Sequence, residues 1–481
     1  MDERPHFPAM APGGTHEPLA VTAPFDGRRL ATVERSDAAG IDQALATAEA
    51  CFRDRDRWLS VTERIAILER AIALMNERFE ELARGAAAEG GKPLIDSRIE
   101  MTRCIDSFRL CIDAMRSNGS PPPVMGINPA SSRRVALLRR EPIGVVVAVS
   151  AFNHPLNLIA HQVGPAVASG CPVIVKPAED TPLSCIRLVR ILHEAGLPEA
   201  WCRWIVPQSL ALAEALVTDP RVALFTFIGS ARVGWHLRSR LAPGTRCLLE
   251  HGGVAPVVVA ADADLEAALP GLIKGAFYHA GQVCVSVQRI FVHASIARRL
   301  GAMMAEAAEA LRVGDPLDEA TEVGPLIRPA EVDRVAQWVG EARNGGAALL
   351  CGGRRIGRQC YAPTVLFDPP PDAAVSRREV FGPVACLYPF DDLDDAIARA
   401  NALEVAFQAA VYSRDIDTAL HVADRLDAST VMINDHTAFR VDWMPFGGLR
   451  HSGLGIGGIP FAMRDMQVEK LTVIHSPGIG P

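Results

Sequence analysis

Residues 275–292 read Gly-Ala-Phe-Tyr-His-Ala-Gly-Gln-Val-Cys-Val-Ser-Val-Gln-Arg-Ile-Phe-Val, and they hold the residue type best suited to covalent chemistry. Cys284 follows a Gly-Gln turn and precedes a β-type run from Arg289 to Val292. A thiol at such a junction is partly exposed among backbone N–H groups, conditions that lower its pKa and make a nucleophile. A small buried hydrophobe fits the same stretch, so both readings stay open on it alone. Three further segments carry polar groups where apolar runs end. The first ends in Ser150-Ala151-Phe152-Asn153-His154-Pro155, the second in Lys176-Pro177-Ala178-Glu179, and the third in Gly229-Ser230 with Gly234 close behind. A helix opened by Gly-Ser offers free N–H groups and a positive dipole end to an anion. Lys176 and Glu179 have the groups to bind ribose hydroxyls, which makes a dinucleotide a fitting ligand. G-x-G-x-x-G is absent, however, and Gly229 and Gly234 suit a tight turn and close helix packing equally well.

The elements that must position these groups alternate regularly from Gly144. Strands are expected at 144–150, 172–176, 202–206, 222–228 and 245–250, with helices at 156–169, 182–195, 209–218 and 230–241 between them. Pro182 opens one helix and Gly196 closes it, with Pro198 beyond. A second series has strands at 256–260, 288–293, 348–351, 384–389, 409–413 and 430–434, and helices at 295–311, 329–343, 392–402 and 416–426. Alternation of this kind implies an α/β protein with doubly wound parallel sheets and ligands at the carboxyl ends of the strands. Upstream, residues 1–35 read as a mostly irregular arm with short strands. A helix over 61–83 starts at a Ser60/Glu63 capping box and carries an apolar stripe from Ile65 to Leu82. A helix over 93–116 bears Arg98 and Arg103 on what reads as a solvated face. Residues 117–140 read as a linker and then a strand with basic ends, suited to an exposed edge. The tail from Gln467 to His475 alternates as a strand.

The chain has 481 residues, enough for two or three domains. Apolar residues make up 49% and charged residues 22%, as in a globular protein. A net charge of −7 leaves no basic excess to neutralise phosphates, which argues against a nucleic-acid partner. The 11 cysteines show neither C-x-x-C nor zinc spacing, so the expectation is reduced thiols, no metal and a cytoplasmic location. Residues 1–20 lack an apolar h-region, so no signal peptide is expected. The most apolar window, Pro142 to Ala160, is interrupted by Asn153, His154 and Pro155. It fits a buried strand and helix better than a membrane span, and no membrane partner is expected.

Seven segments together resemble the aldehyde dehydrogenase superfamily. They are Phe-Asn-His-Pro at 152–155, Lys-Pro-Ala-Glu at 176–179, Phe-x-Gly-Ser-x-x-x-Gly at 227–234, Leu-Glu-His-Gly-Gly at 249–253, Gly-Gln-Val-Cys at 281–284, Glu-Val-Phe-Gly-Pro at 379–383 and Pro-Phe-Gly-Gly at 445–448. Their order and spacing look like the family's over all but the N-terminal arm. The resemblance implies that Cys284 adds to an aldehyde, and that the Asn153 amide and the Cys284 N–H hold the oxyanion. Oxidation by a nicotinamide cofactor then leaves a thioester, and Glu250 activates the water that hydrolyses it. It further implies that Lys176 and Glu179 hold the adenosine ribose, that Ser230 with Gly229 and Gly234 faces the pyrophosphate, that Glu379 and Phe381 meet the nicotinamide ribose and ring, and that Ser150 is a further cofactor contact. Glu179 favours NAD, with NADP as the alternative.

Two positions depart from the family pattern. His251 stands where an aliphatic residue is usual and either tunes Glu250 or fills space. Val254 stands where Lys or Asn is common. The segment 434–444 resembles branches that oxidise lactaldehyde, succinate semialdehyde, sulfoacetaldehyde or phosphonoacetaldehyde. Arg440 falls where many relatives place an aromatic wall, so it either grips an anionic substrate group or pairs with Asp442. Arg103 and His154 are further substrate candidates. Val283 is apolar and supplies no second anion anchor, which weakens the phosphonate reading. Two other chemistries compete. A CoA-acylating relative fits poorly with Glu250 present, and a cysteine hydrolase pairing Cys284 with His279 leaves Lys176, Glu179 and the Gly229–Gly234 helix start unexplained. By resemblance, a cofactor domain spans 1–117 and 141–251 with 451–466 returning to it, a catalytic domain spans 252–450, and 118–140 with 467–481 form an oligomerisation hairpin element. A homodimer or homotetramer is expected.

Overall fold

Val145–Val149 is buried along its whole length, as a strand covered on both faces must be. Its side chains alternate between two apolar clusters. Val146 and Ala148 pack with the helices Val61–Glu77, Leu94–Ser117, Asn157–Ser169 and Pro182–Glu194, whereas Val145 and Val147 pack with Ala38–Arg53 and Leu210–Thr218. In this computed structural model, residues 5–10, 18–117, 119 and 121–479 are described. The expected N-terminal arm therefore falls partly outside the described residues, at 1–4 and 11–17, and so do 118, 120, 480 and 481 of the expected hairpin element.

The strand lies inside a six-stranded sheet ordered Gly453–Leu454, Arg246–Glu250, Val222–Ile228, Val145–Val149, Val173–Lys176 and Cys202–Trp204. All neighbours run parallel except the short strand Gly453–Leu454. The chain winds outward from Val145–Val149 to Cys202–Trp204 and then returns on the other side. That reversal opens a crevice between the ends of Val145–Val149 and Val222–Ile228. A seven-stranded sheet is ordered Ala348–Cys351, Thr364–Phe367, Val384–Phe390, Arg289–His293, Pro256–Val259, Gln408–Tyr412 and Thr430–Ile433. It is parallel except for the pairing of Ala348–Cys351 with Thr364–Phe367. A two-stranded antiparallel ladder joins Arg134–Pro142 to Gln467–His475. The apolar window at 142–160 is indeed a buried strand and a helix start, and no described helix is long and apolar enough to cross a membrane.

Several elements depart from the sequence reading. The helix expected over 61–83 ends at Glu77, and a second helix runs from Phe79 to Gly90. The capping box is as expected, with Glu63 N donating to Ser60 Oγ at 3.2 Å and Ser60 N donating to Glu63 Oε2 at 2.7 Å. No Gly or Pro marks the break. Arg78 sits at it and reaches Glu194 through Nη1 at 2.8 Å and Nη2 at 2.6 Å, a contact 116 residues away. Ala38–Arg53 escapes the pattern because alanines and a glycine make up much of its buried face. Leu265–Phe277 escapes it because Pro270 inside the helix reads as a breaker. Thr364–Phe367 is only four residues long and follows Pro363.

One buried ion pair locks the helix layer to the polar strand end. Lys92 and Glu100 bond each other at 1% and 0% side-chain exposure. Glu100 Oε1 also accepts from Leu156 N at 2.8 Å and Asn157 N at 3.0 Å, at the start of Asn157–Ser169. A carboxylate there satisfies orphan amides and complements the helix dipole. Lys92 Nζ reaches the Asn153 carbonyl at 3.4 Å. Glu100→Ala would strand a buried ammonium and two amides, so we expect a loss of about 3–5 kcal/mol. Glu100→Gln keeps an acceptor and should lose less. Thermal melts of the two variants check this ordering, and equal melting temperatures would contradict it.

Candidate active site

The turn that carries Cys284 is built around Gly281. Its φ is +69°, and a Cβ there would overlap the Gly382 carbonyl. Gln282 braces the turn, donating from Nε2 to Pro325 O at 3.3 Å and accepting from Ile327 N through Oε1 at 3.0 Å. Asn153 Nδ2 donates to the Gln282 carbonyl at 3.0 Å, which holds the Asn153 amide beside this turn. An amide nitrogen has two hydrogens, so one remains for a ligand.

Cys284, Glu250 and Asn153 line one cavity of about 960 Å³. Cys284 is half-buried and Asn153 is buried. The expectation of a lowered thiol pKa is corrected here. Burial raises the Cys284 pKa well above its ordinary value, the nearby Glu250 charge adds to the rise, and Arg440 opposes it. Burial also raises the Glu250 pKa, with Arg440 and then Arg103 acting against it. The alternative base fares worse. His279 is fully buried, both its ring nitrogens lack partners among the described residues, and burial takes its pKa well below the ordinary value.

Arg103, His154, Tyr278 and Arg440 line the same cavity. His154 Nε2 and the Tyr278 hydroxyl lie 3.0 Å apart. Arg103 is no solvated helix face. It grips Asp442 in a two-pronged bond, Nε to Oδ2 at 3.1 Å and Nη2 to Oδ1 at 2.6 Å. The Arg440–Asp442 ion pair that the sequence offered is present but loose: Arg440 Nε lies 3.8 Å from Oδ1, and that Nε has no hydrogen-bond partner among the described residues. The Arg440 guanidinium instead lies over the Phe446 ring, 3.6 Å from its centroid, with a side-chain exposure of 10%. Burial lowers its pKa, but an arginine begins so far above neutral that it stays charged.

The rest of the cavity runs along the crevice between the strand ends. Ser150, Lys176, Glu179, Gly229, Ser230, Glu379 and Phe381 all line it, so it takes in nearly every residue the sequence assigned to a cofactor. The Ser150 hydroxyl and Glu379 Oε1 are buried without hydrogen-bond partners among the described residues. Orphaned polar atoms on a cavity wall fit hydroxyl and phosphate groups. Burial pushes the Glu379 pKa up to about 8, with Arg334 opposing. Phe381 takes a positive φ of 45° and meets Phe152 edge-on at 5.7 Å. Lys176 Nζ donates to Pro177 O at 3.1 Å, and Glu179 lies 3.8 Å from Arg35, a neighbour the sequence did not suggest. Gly234 stands apart from the cavity lining. A Cβ there would strike the His251 ring, so its requirement comes from packing. His251 itself wedges between Phe227 and Trp235 and bonds the Gly229 carbonyl at 2.8 Å, which supports the space-filling reading.

Sequence reasoning missed Lys92, Glu100, His161 and Tyr278, and it named Asp442 only as a partner of Arg440, not of Arg103. A faint signal existed for two of them, because Asp96 and Glu100 follow Lys92 at helical spacing. For Asp442 and Arg103 none did, since 339 residues separate them.

Comparison with known proteins agrees with this geometry. The profile of the aldehyde dehydrogenase family matches residues 11–471. A 3-sulfolactaldehyde dehydrogenase of Priestia aryabhattai is 36% identical, covering 96% of this chain and 96% of that protein. Aldehyde dehydrogenase 21 from Physcomitrella patens, solved in complex with the reaction product succinate, superposes with a TM-score of 0.93 at 34% identity, covering 99% of each chain. Glyceraldehyde-3-phosphate dehydrogenase from Methanocaldococcus jannaschii, solved with NADP, gives a TM-score of 0.91 at 34% identity, covering 96% of this chain and 100% of that one.

The Glu379 environment has a measurable signature. Its pKa of about 8 lies above the ordinary 4.5. An unfolded chain would ionise this group above 4.5, while the folded one keeps the proton until about 8. The group's contribution is therefore fully present below 4.5 and is lost as pH rises to about 8. Thermal melts of wild type and Glu379→Gln over that range should show a steeper decline for wild type. Parallel curves would mean that the carboxyl is ionised throughout.

Proposed function

The chain belongs to the aldehyde dehydrogenase family, whose members oxidise aldehydes with NAD or NADP, and from this premise we propose that it oxidises a small anionic aldehyde to its acid. The carrying observation is Arg440, a cation inside the Cys284 cavity whose natural partner, Asp442, is already held by Arg103. A buried guanidinium with no hydrogen bond to a carboxylate favours a carboxylate or sulfonate on the substrate. The relative named for sulfolactaldehyde and the structure solved with succinate agree with that class.

In this reading Cys284 attacks the aldehyde carbon. Its thiol is protonated at rest, so a base must take the proton as the bond forms, and Glu250 is the carboxylate coupled to it. The new oxyanion is held by the free hydrogen of the Asn153 amide and by the Cys284 N–H. NAD(P)⁺, when bound, supplies the two-electron acceptor that converts the adduct to a thioester. Once Glu250 has passed the thiol proton to solvent, it removes a proton from the attacking water, and its raised pKa suits a base that must take up and release a proton in each step. Ser150, Lys176, Glu179, Ser230, Glu379 and Phe381 would hold the cofactor along the crevice. His154 and Arg103 border the substrate end.

The division into a cofactor domain, a catalytic domain from Gly252 and an oligomerisation element belongs to the same proposal. The ladder of Arg134–Pro142 with Gln467–His475 exposes Val135, Leu137, Leu471, Val473 and Ile474, which supports a dimer or tetramer through this edge. All 11 cysteines are free, in keeping with the reducing cytosol.

NADH formation with anionic and neutral aldehydes of matched length tests the substrate reading. Anionic aldehydes should be preferred, and Arg440→Ala should lose about 2–4 kcal/mol more transition-state stabilisation for them than for neutral ones. Equal treatment of both classes would remove Arg440 from the substrate site. Glu250→Gln should slow the first, single-turnover release of NADH as well as the steady state, with turnover down about 10²–10⁴-fold. Turnover restored by CoA instead of water would support the acylating alternative.

A further inference from the structure

Arg440 cannot hold an anion well unless something holds Arg440. Two of its neighbours do so. The Phe446 ring supports one face of the guanidinium. On its edge, Nη2 lies 3.2 Å from Nδ1 of His161, a buried residue on the helix Asn157–Ser169. The other ring nitrogen of His161, Nε2, lies 2.8 Å from Asp442 Oδ1. A guanidinium has only donors, so Nδ1 must present its lone pair and Nε2 must carry the proton. The neutral Nε2–H tautomer is therefore the one form that satisfies both neighbours at once.

We infer that His161 is a positioning residue that sets substrate selectivity: it holds the Arg440 guanidinium away from Asp442 and open to an anionic aldehyde. The inference rests on the anionic reading of the preceding section. Asp442 is the competitor. It accepts from Arg103 on both oxygens, and Oδ1 also accepts from His161. With those bonds in place Arg440 Nε stops at 3.8 Å, outside hydrogen-bond range. Remove His161 and Oδ1 loses a donor while Arg440 loses its edge contact. A small rotation then tightens the loose 3.8 Å ion pair into a hydrogen-bonded one, and the arginine turns to Asp442 instead of to substrate.

The test is steady-state kinetics with carboxylate- and sulfonate-bearing aldehydes against neutral aldehydes of equal length. Three variants are compared with wild type. His161→Phe keeps a ring without nitrogens, His161→Asn stays polar but is too short to bridge both partners, and His161→Gln keeps an acceptor and a donor at nearly the right span. For Phe and Asn we expect KM for anionic aldehydes to rise about tenfold while kcat, and both constants for neutral aldehydes, stay within about twofold. Gln should restore most of the anionic KM. Should His161→Phe fail to fold, the Asn and Gln pair carries the comparison. Unchanged KM in Phe or Asn overturns the inference, and so does a joint fall of kcat and KM performance for both classes, the mark of a merely structural residue. A wild type with no preference for anions overturns the underlying reading first, and that result is visible before any variant is made.

Discussion

Burial of charge is the constraint on which this site depends. Each group that the chemistry needs sits where water is scarce, and each shows it in its protonation. The Cys284 thiol and the Glu250 carboxyl are both raised by burial, and each also feels the other's charge or that of Arg440. A lone buried carboxylate or thiolate is costly, and a nearby cation offsets part of that cost. Arg440 therefore has two effects. It favours the ionised forms of Cys284 and Glu250, and in the proposed function it presents a charge to the substrate. The site is thus one electrostatic unit rather than a row of independent side chains.

Keeping Arg440 available for both effects requires an unusual allocation of partners. A carboxylate two residues away along the chain would ordinarily claim it. The fold instead brings in Arg103 from the distant helix Leu94–Ser117 and gives Asp442 to that residue. Burial works against ionising Asp442, yet hydrogen bonds from His161 and Arg103 hold its carboxyl well below the usual range. That helix also carries Glu100, which fixes the start of Asn157–Ser169, the helix that bears His161. One helix thus sets the backbone of the oxyanion turn and the charge balance of the substrate end.

The legible part of this protein was its local chemistry. Alternating strands and helices gave the doubly wound sheets, and the polar strand ends at Ser150, Lys176 and Gly229 proved to be adjacent in the sheet, lining one crevice. Cys284, Glu250 and Asn153 stood in recognisable segments and share a cavity. The illegible part was pairing. Whether Arg440 meets Asp442, whether Arg103 faces solvent and whether Glu179 has a cationic neighbour depend on contacts between residues far apart in sequence, which spacing does not encode. The thiol pKa was misjudged for a related reason. A loop junction suggests exposure, but the depth of Cys284 is set by the walls that other segments bring to it. Helix signals failed where alanines replaced larger apolar residues, as in Ala38–Arg53, and where a proline sat inside a helix, as in Leu265–Phe277.

The most direct test of the electrostatic unit needs no knowledge of the natural substrate. It is the rate of alkylation at Cys284, followed by mass spectrometry of its peptide, with anionic iodoacetate and neutral iodoacetamide. A positive cavity beside the thiol predicts that iodoacetate gains on iodoacetamide relative to a free cysteine, that Arg440→Ala removes the gain, and that both reactions accelerate well above neutral pH. If iodoacetamide keeps the advantage it has on a free thiol, in wild type and variant alike, Arg440 does not shape the field at Cys284 and the central claim is wrong.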